Sequence, residues 1–196
     1  MPLHTIVLDI DQDRTQVLIG IDKALSDVNH SSSVAFASAG VKKTENAQYT
    51  MWADYSGPKD TWLRLADDAK VPALYVDISV ANAAVRDKII AALSKHVRVL
   101  TCGQLKAMAV ATPVFRPGLV AWLGLACRGP HDSEIAASIK KGFASRDPLV
   151  RSNAQLATLL LKWQQLLPVI EAAAASEEDE DLKERGEYIV ETLRAE

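Results

Sequence analysis

The amino-acid sequence predicts a mainly helical protein, with a small mixed α/β segment in residues 1–80 and helices in residues 81–196. Through most of the second part, apolar residues recur every three or four positions, which is the spacing of amphipathic helices. Near the start, HTIVLDID alternates apolar and polar residues, as a strand with one buried face does. A chain of 196 residues, 48% of them hydrophobic, can bury a core as one domain or as two small modules.

The first part is expected to open with a strand in residues 4–11 and to continue with an amphipathic helix. Asp13 and Gln16 form a capping-box-like pair at the start of that helix. Its apolar face should carry Val17, Ile21, Leu25 and Val28.

Beyond this helix, two short strands are predicted on either side of a turn region at 40–46, followed by a helix in 59–69. Residues 71–79 fit either a strand or a helix, because their apolar residues satisfy both spacings. If they form a strand, the order is βαββαβ, as in a small ferredoxin-like sheet. If they form a helix, the helical series begins near residue 60.

The second part contains strong helix signals. Asp147 can cap a helix whose first residue is Pro148, where the missing N–H costs nothing. Pro168 is tolerable near a first turn or as a kink, and Ser176 or Asp179 can cap the last helix. The sequence therefore predicts helices in 117–128, 132–144, 149–162 and 182–194, with these side chains buried: Leu123, Ile139, Leu160 and Ile189.

A shift of about 32 residues places the helix after Asp147 on the helix after Asp179 with similar residue types, a period found in helical-repeat arrays. The string Asp147 to Arg151, with Ala154 three residues on, and the LLPVI segment around Pro168 resemble HEAT repeats. The resemblance covers about one and a half repeats and is weaker over residues 81–145. It implies a curved α–α solenoid in a family that mostly scaffolds and binds proteins.

The same resemblance implies that the second helix of each pair lines the concave, partner-binding face. By position, the candidates on that face are Arg86, Arg151, Gln155 and Lys183. The alternative is that the two arginines and the lysine pair with acidic caps of neighbouring repeats or face water. Trp52 and Trp62 stand among other aromatic residues and either pack a core or anchor a protein interface.

Composition excludes several function classes. The formal net charge is −3, without the clustered Lys and Arg that nucleic acid or an anionic membrane would require. No run of about 18 apolar residues is present to span a bilayer. The start of the chain has no basic leader, and the two cysteines are expected to be small buried thiols in a reducing compartment. We therefore expect a cytoplasmic protein.

No metal or cofactor site is expected. The paired spacing of zinc ligands is missing from the His and Cys residues, which are His96, Cys102, Cys127 and His131.

The DxDxT order of Asp11, Asp13 and Thr15 after a strand is similar to the first motif of haloacid-dehalogenase-type phosphohydrolases. That resemblance implies that Asp11 is the nucleophile and Asp13 the general acid, with Mg²⁺ screening their carboxylates from the phosphoryl charge. Arg14 replaces the family's small residue, and the later acidic pair could only be Asp67 and Asp68.

The sequence thus leaves two hypotheses of different class. The first is a non-catalytic protein that binds another protein, as an adaptor, an inhibitor or an immunity-type factor, through a helical-repeat surface. The second is a divergent Mg²⁺-dependent phosphohydrolase that uses Asp11 and Asp13.

Overall fold

The computed structural model describes residues 3–57, 60–68, 73–111 and 118–195. These residues are mainly helical, with a six-stranded antiparallel sheet. The backbone divides into two compact units, residues 1–100 and residues 101–196. The sequence-based division at residue 80 lies before a helix that the structure places in the first unit.

The first unit is an α+β unit. Its elements in chain order are β1 (His4–Leu8), α1 (Arg14–Ser31), β2 (Phe36–Lys43), β3 (Ala47–Asp54), β4 (Trp62–Asp68), β5 (Ala73–Ser79), α2 (Ala83–His96) and β6 (Val99–Leu100). The strand order is β2-β3-β4-β5-β1-β6, and every pair is antiparallel. The helices α1 and α2 pack on each other and share one hydrophobic core with the sheet.

The predicted α1 is confirmed. Asp13 caps it by accepting a hydrogen bond from the Gln16 backbone N–H at 3.0 Å. The four apolar residues expected on its inner face, Val17, Ile21, Leu25 and Val28, are all buried.

The helix predicted in 59–69 is wrong, because residues 62–68 form β4. Leu63 and Leu65 are fully buried, whereas Trp62 and Arg64 between them are half-buried, which is the two-residue period of a strand. Pairing with β3 on one side and β5 on the other outweighs local helix propensity here. Residues 73–79 form β5, while 71 and 72 lie outside the described residues. The order βαββαβ is therefore also wrong, since the predicted second helix is the strand β4.

The segment NAAVRDKIIAAL, which lies within residues 81–145 where the HEAT resemblance is weaker, begins at the cap of α2. Asn82 accepts hydrogen bonds from the Ala84 and Val85 backbone N–H groups. Ile89 and Leu93 of α2 are fully buried in the core that the sheet shares with α1. This helix therefore completes the α+β unit.

The second unit is all helical within its described residues. Its helices are α3 (Cys102–Ala111), α4 (Leu119–Ala126), α5 (Ser133–Phe143), α6 (Pro148–Leu161), α7 (Leu167–Ser176) and α8 (Glu180–Arg194), with a 3₁₀ turn at Gln164–Leu166. The four predicted helices correspond to α4, α5, α6 and α8, although residue 117 lies outside the described residues.

The expected burial is confirmed for Leu123, Ile139 and Ile189. It is wrong for Leu160, which is half-buried. The inner face of α6 instead ends on Leu161, which lies three and four positions after the buried Thr158 and Ala157.

Helix α4 is apolar all round because it is buried all round. Seven of its eight residues are buried. A Cβ added at Gly124 would lie 2.6 Å from the Ala157 Cα, so glycine is what lets α4 approach α6 so closely.

The capping predictions in this unit are confirmed. Asp147 accepts from the Leu149 N–H at 2.9 Å, and Pro148 is the first residue of α6. Asp179, not Ser176, caps α8 by accepting from the Leu182 N–H. Pro168 lies in the first turn of α7.

Replacing Asp147 by Ala is expected to lower the free energy of unfolding by about 1 kcal/mol, because an N–H of the first turn loses its acceptor. Asp147→Asn is the matched control and should stay close to the wild type, since Asn caps as well as Asp. Urea unfolding followed by circular dichroism measures both. Equal midpoints for Asp147→Ala and the wild type would show that the cap adds nothing.

The cysteines correct another expectation. Cys102, the first residue of α3, and Cys127, which follows α4, form a disulfide with their Cα atoms 5.3 Å apart. Neither is a free thiol. Disulfides persist mainly in oxidising compartments, so the inference from free thiols to a reducing compartment loses its basis. Separately, no helix among the described residues is long and apolar enough to cross a membrane.

Candidate protein-binding surface

Arg151, a candidate for the concave face, forms hydrogen bonds with residues of the second unit. Its Nε and Nη2 donate to the two carboxylate oxygens of Glu177, each at 2.8 Å. Its Nη1 donates to the Ser145 and Arg146 carbonyls. The Glu177 side chain is only 7% exposed. This two-pronged ion pair ties the start of α6 to the turn between α7 and α8.

Gln155, the second candidate, is 2% exposed and joins α6 to α8. Its Nε2 donates to the Leu182 carbonyl at 2.6 Å, and its Oε1 accepts from Arg185 Nε at 2.7 Å. Arg185 also donates to Ser152 Oγ. Burial lowers the pKa of Arg185, in keeping with a neutral amide, not a carboxylate, as its closest partner.

Helices α7 and α8 pack closely against each other. A Cβ added at Gly186 would lie 3.0 Å from the Ala174 Cβ, so the absence of a side chain there lets the two helices approach closely. Ile170, Ile189 and Leu193 form a fully buried cluster beside this contact. Together with the polar links from Arg151 and Gln155, this packing fixes α6, α7 and α8 relative to one another.

The outward side of α8 carries four exposed residues, Glu184, Glu187, Tyr188 and Glu191, which we call the α8 face. Their spacing of three and four residues places them on one side of the helix. Tyr188 is 61% exposed, which is high for an aromatic side chain. Because the inner side of α8 is fixed, the α8 face is presented on a rigid support.

Beside the α8 face, α7 and α8 enclose a shallow groove of about 470 Å³, which we call the α7–α8 groove. Ala174, Ala175 and Val190 contribute its apolar part, and Glu187 and Glu191 also line it. An ion pair of 2.7 Å between Arg194 and Glu171 lies along the same groove.

The other candidates are not among the residues that form the α8 face or line the α7–α8 groove. Arg86 pairs with its neighbour Asp87 on α2, and Lys183 lies 3.8 Å from Glu180 within α8. Trp52 is buried in the core of the first unit, and its indole N–H donates to Asp22 at 2.7 Å.

Trp62 belongs to a cluster on the sheet face opposite that core. The Arg64 guanidinium lies 5.6 Å from the Trp62 ring centroid and 5.0 Å from that of Tyr49. It also donates to the buried Asp77 at 2.5 Å. Arg64 is thus held by a carboxylate and two aromatic rings.

Asp11 and Asp13 lie beside a polar surface pocket of about 400 Å³ in the first unit. Lys23, Lys95 and Arg98 line the same pocket. The two aspartates of the DxDxT motif therefore line the same pocket as basic side chains. Asp13 also serves as the N-cap of α1.

The second acidic pair of the phosphohydrolase resemblance lies at the end of a strand, contrary to the helical pattern expected for it. In the pairing register, Asp67 is opposite Leu74, which is opposite Leu8. Asp67 is therefore two strands away from β1, a separation of about 10 Å. Arg14 forms an ion pair with Asp67. Within the described residues, no group of three or more His, Cys, Asp or Glu side chains could hold a metal ion.

The Arg151–Glu177 pair predicts a pH dependence of stability. The Arg151 guanidinium lowers the pKa of Glu177 below its ordinary value. A carboxylate with a lowered native pKa contributes stability above its unfolded pKa, about 4.3, and loses it as the pH falls through the lower native pKa. The wild type should be more stable than Glu177→Gln at neutral pH, and the difference should vanish in acid. Urea unfolding at a series of pH values measures it, and a difference that does not depend on pH would contradict the assignment.

Several residues of this region escape sequence reasoning. Arg185 and Glu177 resemble ordinary solvated charges in an acidic run, and only the fold reveals their partners. Tyr188 could have been singled out, because its spacing from Glu184 and Glu191 marks an aromatic residue on a charged helix face. Comparisons with protein-family models, with curated proteins and with solved structures gave no match to this chain.

Proposed function

We propose that the chain is a non-catalytic protein that binds another protein, as an adaptor, an inhibitor or an immunity-type factor, through its C-terminal helical surface. The observation that carries the proposal is Tyr188, exposed on the α8 face while the opposite side of α8 is fixed by packing and by the Gln155 links. Tyrosines on rigid supports are frequent anchors of protein interfaces, because little conformational entropy is lost on binding.

The buried polar links favour this role for α8 over the face first expected from Arg151 and Gln155. Their side-chain hydrogen bonds are made inside the unit, so a partner would have to displace them. The exposed residues of α8 need no such rearrangement. The proposal therefore retains the helical surface and moves its centre from α6 to α8.

The test begins with capture of partners from the native host on the immobilised full-length chain. Each captured protein is then purified, and its direct affinity is measured for the wild type, Tyr188→Ala and Tyr55→Ala. Tyr55 is a matched control, since it is a tyrosine 68% exposed in the first unit. We expect Tyr188→Ala to weaken binding about tenfold and Tyr55→Ala to leave it unchanged. If no captured protein binds directly, the proposal fails.

A second candidate function is that of a Mg²⁺-dependent phosphohydrolase. It is favoured by the surface pocket in the first unit, which is lined by Asp11 and Asp13 together with two lysines. Under this alternative, Asp11→Asn should lower turnover of a phosphate ester by several powers of ten, because the nucleophile is lost. Under the binding proposal, neither protein turns over the ester, and Asp11→Asn keeps both its fold and its affinity. Turnover by the wild type that disappears in Asp11→Asn would replace the first proposal by the second.

A further inference from the structure

Negative charge is concentrated at the C-terminal end of the sequence. Residues 171–196 contain ten Asp and Glu against three Lys and Arg, a net charge of −7, whereas the whole chain carries −3. The remainder of the chain therefore carries a net charge of +4. Such an asymmetry creates a field that attracts partners of the opposite sign.

The three basic residues of this segment are already engaged. Arg185 donates to Gln155 and Ser152, Arg194 pairs with Glu171, and Lys183 lies near Glu180. Among the described residues, no ion pair or side-chain hydrogen bond involves the three glutamates of the α8 face. The carboxylates around Tyr188 are thus available to an external cation.

The α7–α8 groove adds shape to this charge. Its lining combines small and aliphatic side chains, Ala174, Ala175 and Val190, with the carboxylates of Glu187 and Glu191. Lys and Arg side chains have an aliphatic stem and a charged head. A stem can lie along the alanine and valine side chains while the head reaches Glu187 or Glu191, and the Tyr188 ring offers a guanidinium a surface for stacking.

We propose that the α8 face and the α7–α8 groove dock a Lys/Arg-rich helix of the partner protein. This inference rests on the proposed function and specifies the partner's chemistry. Charge complementarity selects a basic partner, and it disfavours nucleic acid, whose phosphates the same glutamates repel. A helix fits because α8 repeats its glutamates at three- and four-residue spacing, which basic residues on one side of a helix can match.

The test uses the full-length chain and a synthetic helical peptide with Lys and Arg on one face and Leu on the other. Affinity is measured by fluorescence anisotropy at low and high salt. The variants are Tyr188→Ala and the double charge reversal Glu187→Lys/Glu191→Lys. The controls are Tyr55→Ala, which makes the same tyrosine truncation, and Asp87→Lys, which makes a single charge reversal, both at exposed positions of the first unit.

We expect the peptide to bind the wild type with a dissociation constant well below about 1 mM. Tyr188→Ala should weaken binding about tenfold, the double reversal about tenfold or more, and added salt several-fold. The controls should stay within about twofold of the wild type. Absence of peptide binding, or equal losses in the α8 variants and the controls, would overturn the inference.

Two further measurements separate this inference from the proposed function. If a native partner binds directly and the double reversal leaves its affinity unchanged, the chain binds proteins but the basic-helix inference is wrong. Analytical ultracentrifugation tests a second copy of the chain as the occupant. Self-association that the double reversal abolishes would likewise overturn the assignment to a partner protein.

Discussion

Replacing Arg151 by Met is expected to lower the free energy of unfolding by about 3 kcal/mol or more. The substitution keeps the aliphatic stem but removes the cation that pairs with Glu177, whose side chain is only 7% exposed and keeps a hydrogen bond from the Asp179 backbone N–H at 3.2 Å. An unpaired buried charge costs far more than the pair itself contributes. Chemical unfolding followed by circular dichroism measures the loss.

Two variants make this prediction specific. Arg86→Met removes an arginine paired with an exposed neighbour and should cost about 0.5 kcal/mol or less. The double variant Arg151→Met/Glu177→Met removes both charges and should recover much of the stability lost in Arg151→Met. A double variant as unstable as Arg151→Met alone would show that the loss comes from packing and not from the stranded carboxylate.

Removing the Cys102–Cys127 disulfide is expected to cost about 3 kcal/mol, because a bond between residues 25 apart in sequence restricts the unfolded chain. The effect should appear in thermal unfolding as a lower midpoint for Cys102→Ala/Cys127→Ala and, equally, for the wild type in dithiothreitol. The double variant itself should not respond to dithiothreitol. A wild-type midpoint that is the same with and without the reductant would contradict a stabilising disulfide.

Sequence reasoning succeeds where local signals agree. For α5, α6 and α8, the apolar period is supported by an aspartate at the N-cap, and all three helices form as expected. Capping and periodicity are local properties, so they can be read without knowing the fold.

Sequence reasoning fails where a residue's conformation depends on neighbours that are distant in the sequence. Residues 62–68 have enough helix-compatible residues to mimic a helix, and only pairing with β3 and β5 makes them a strand. The cysteines have no diagnostic spacing, and their bond follows from the way α3 and α4 pack.

The candidate site shows the same division. The resemblance to HEAT repeats draws attention to Arg151 and Gln155 because of their positions on the implied concave face. Their partners, Glu177 and Leu182, lie 26 and 27 residues away, so the internal use of these side chains becomes apparent only in the folded unit. Tyr188 differs from them, because its spacing from Glu184 and Glu191 already marks a charged helix face in the sequence, and it is 61% exposed in the folded unit.

The most direct test of protein binding through the C-terminal helices is amide hydrogen exchange of the full-length chain, alone and saturated with a purified native partner. Protection on binding should be concentrated in α8 and in the adjoining α7, with α1 and α2 unchanged. The Tyr188→Ala variant, measured at the same partner concentration, should show less protection of α8. Protection confined to the first unit, with the exchange of α7 and α8 unaltered, would contradict binding through the C-terminal helices.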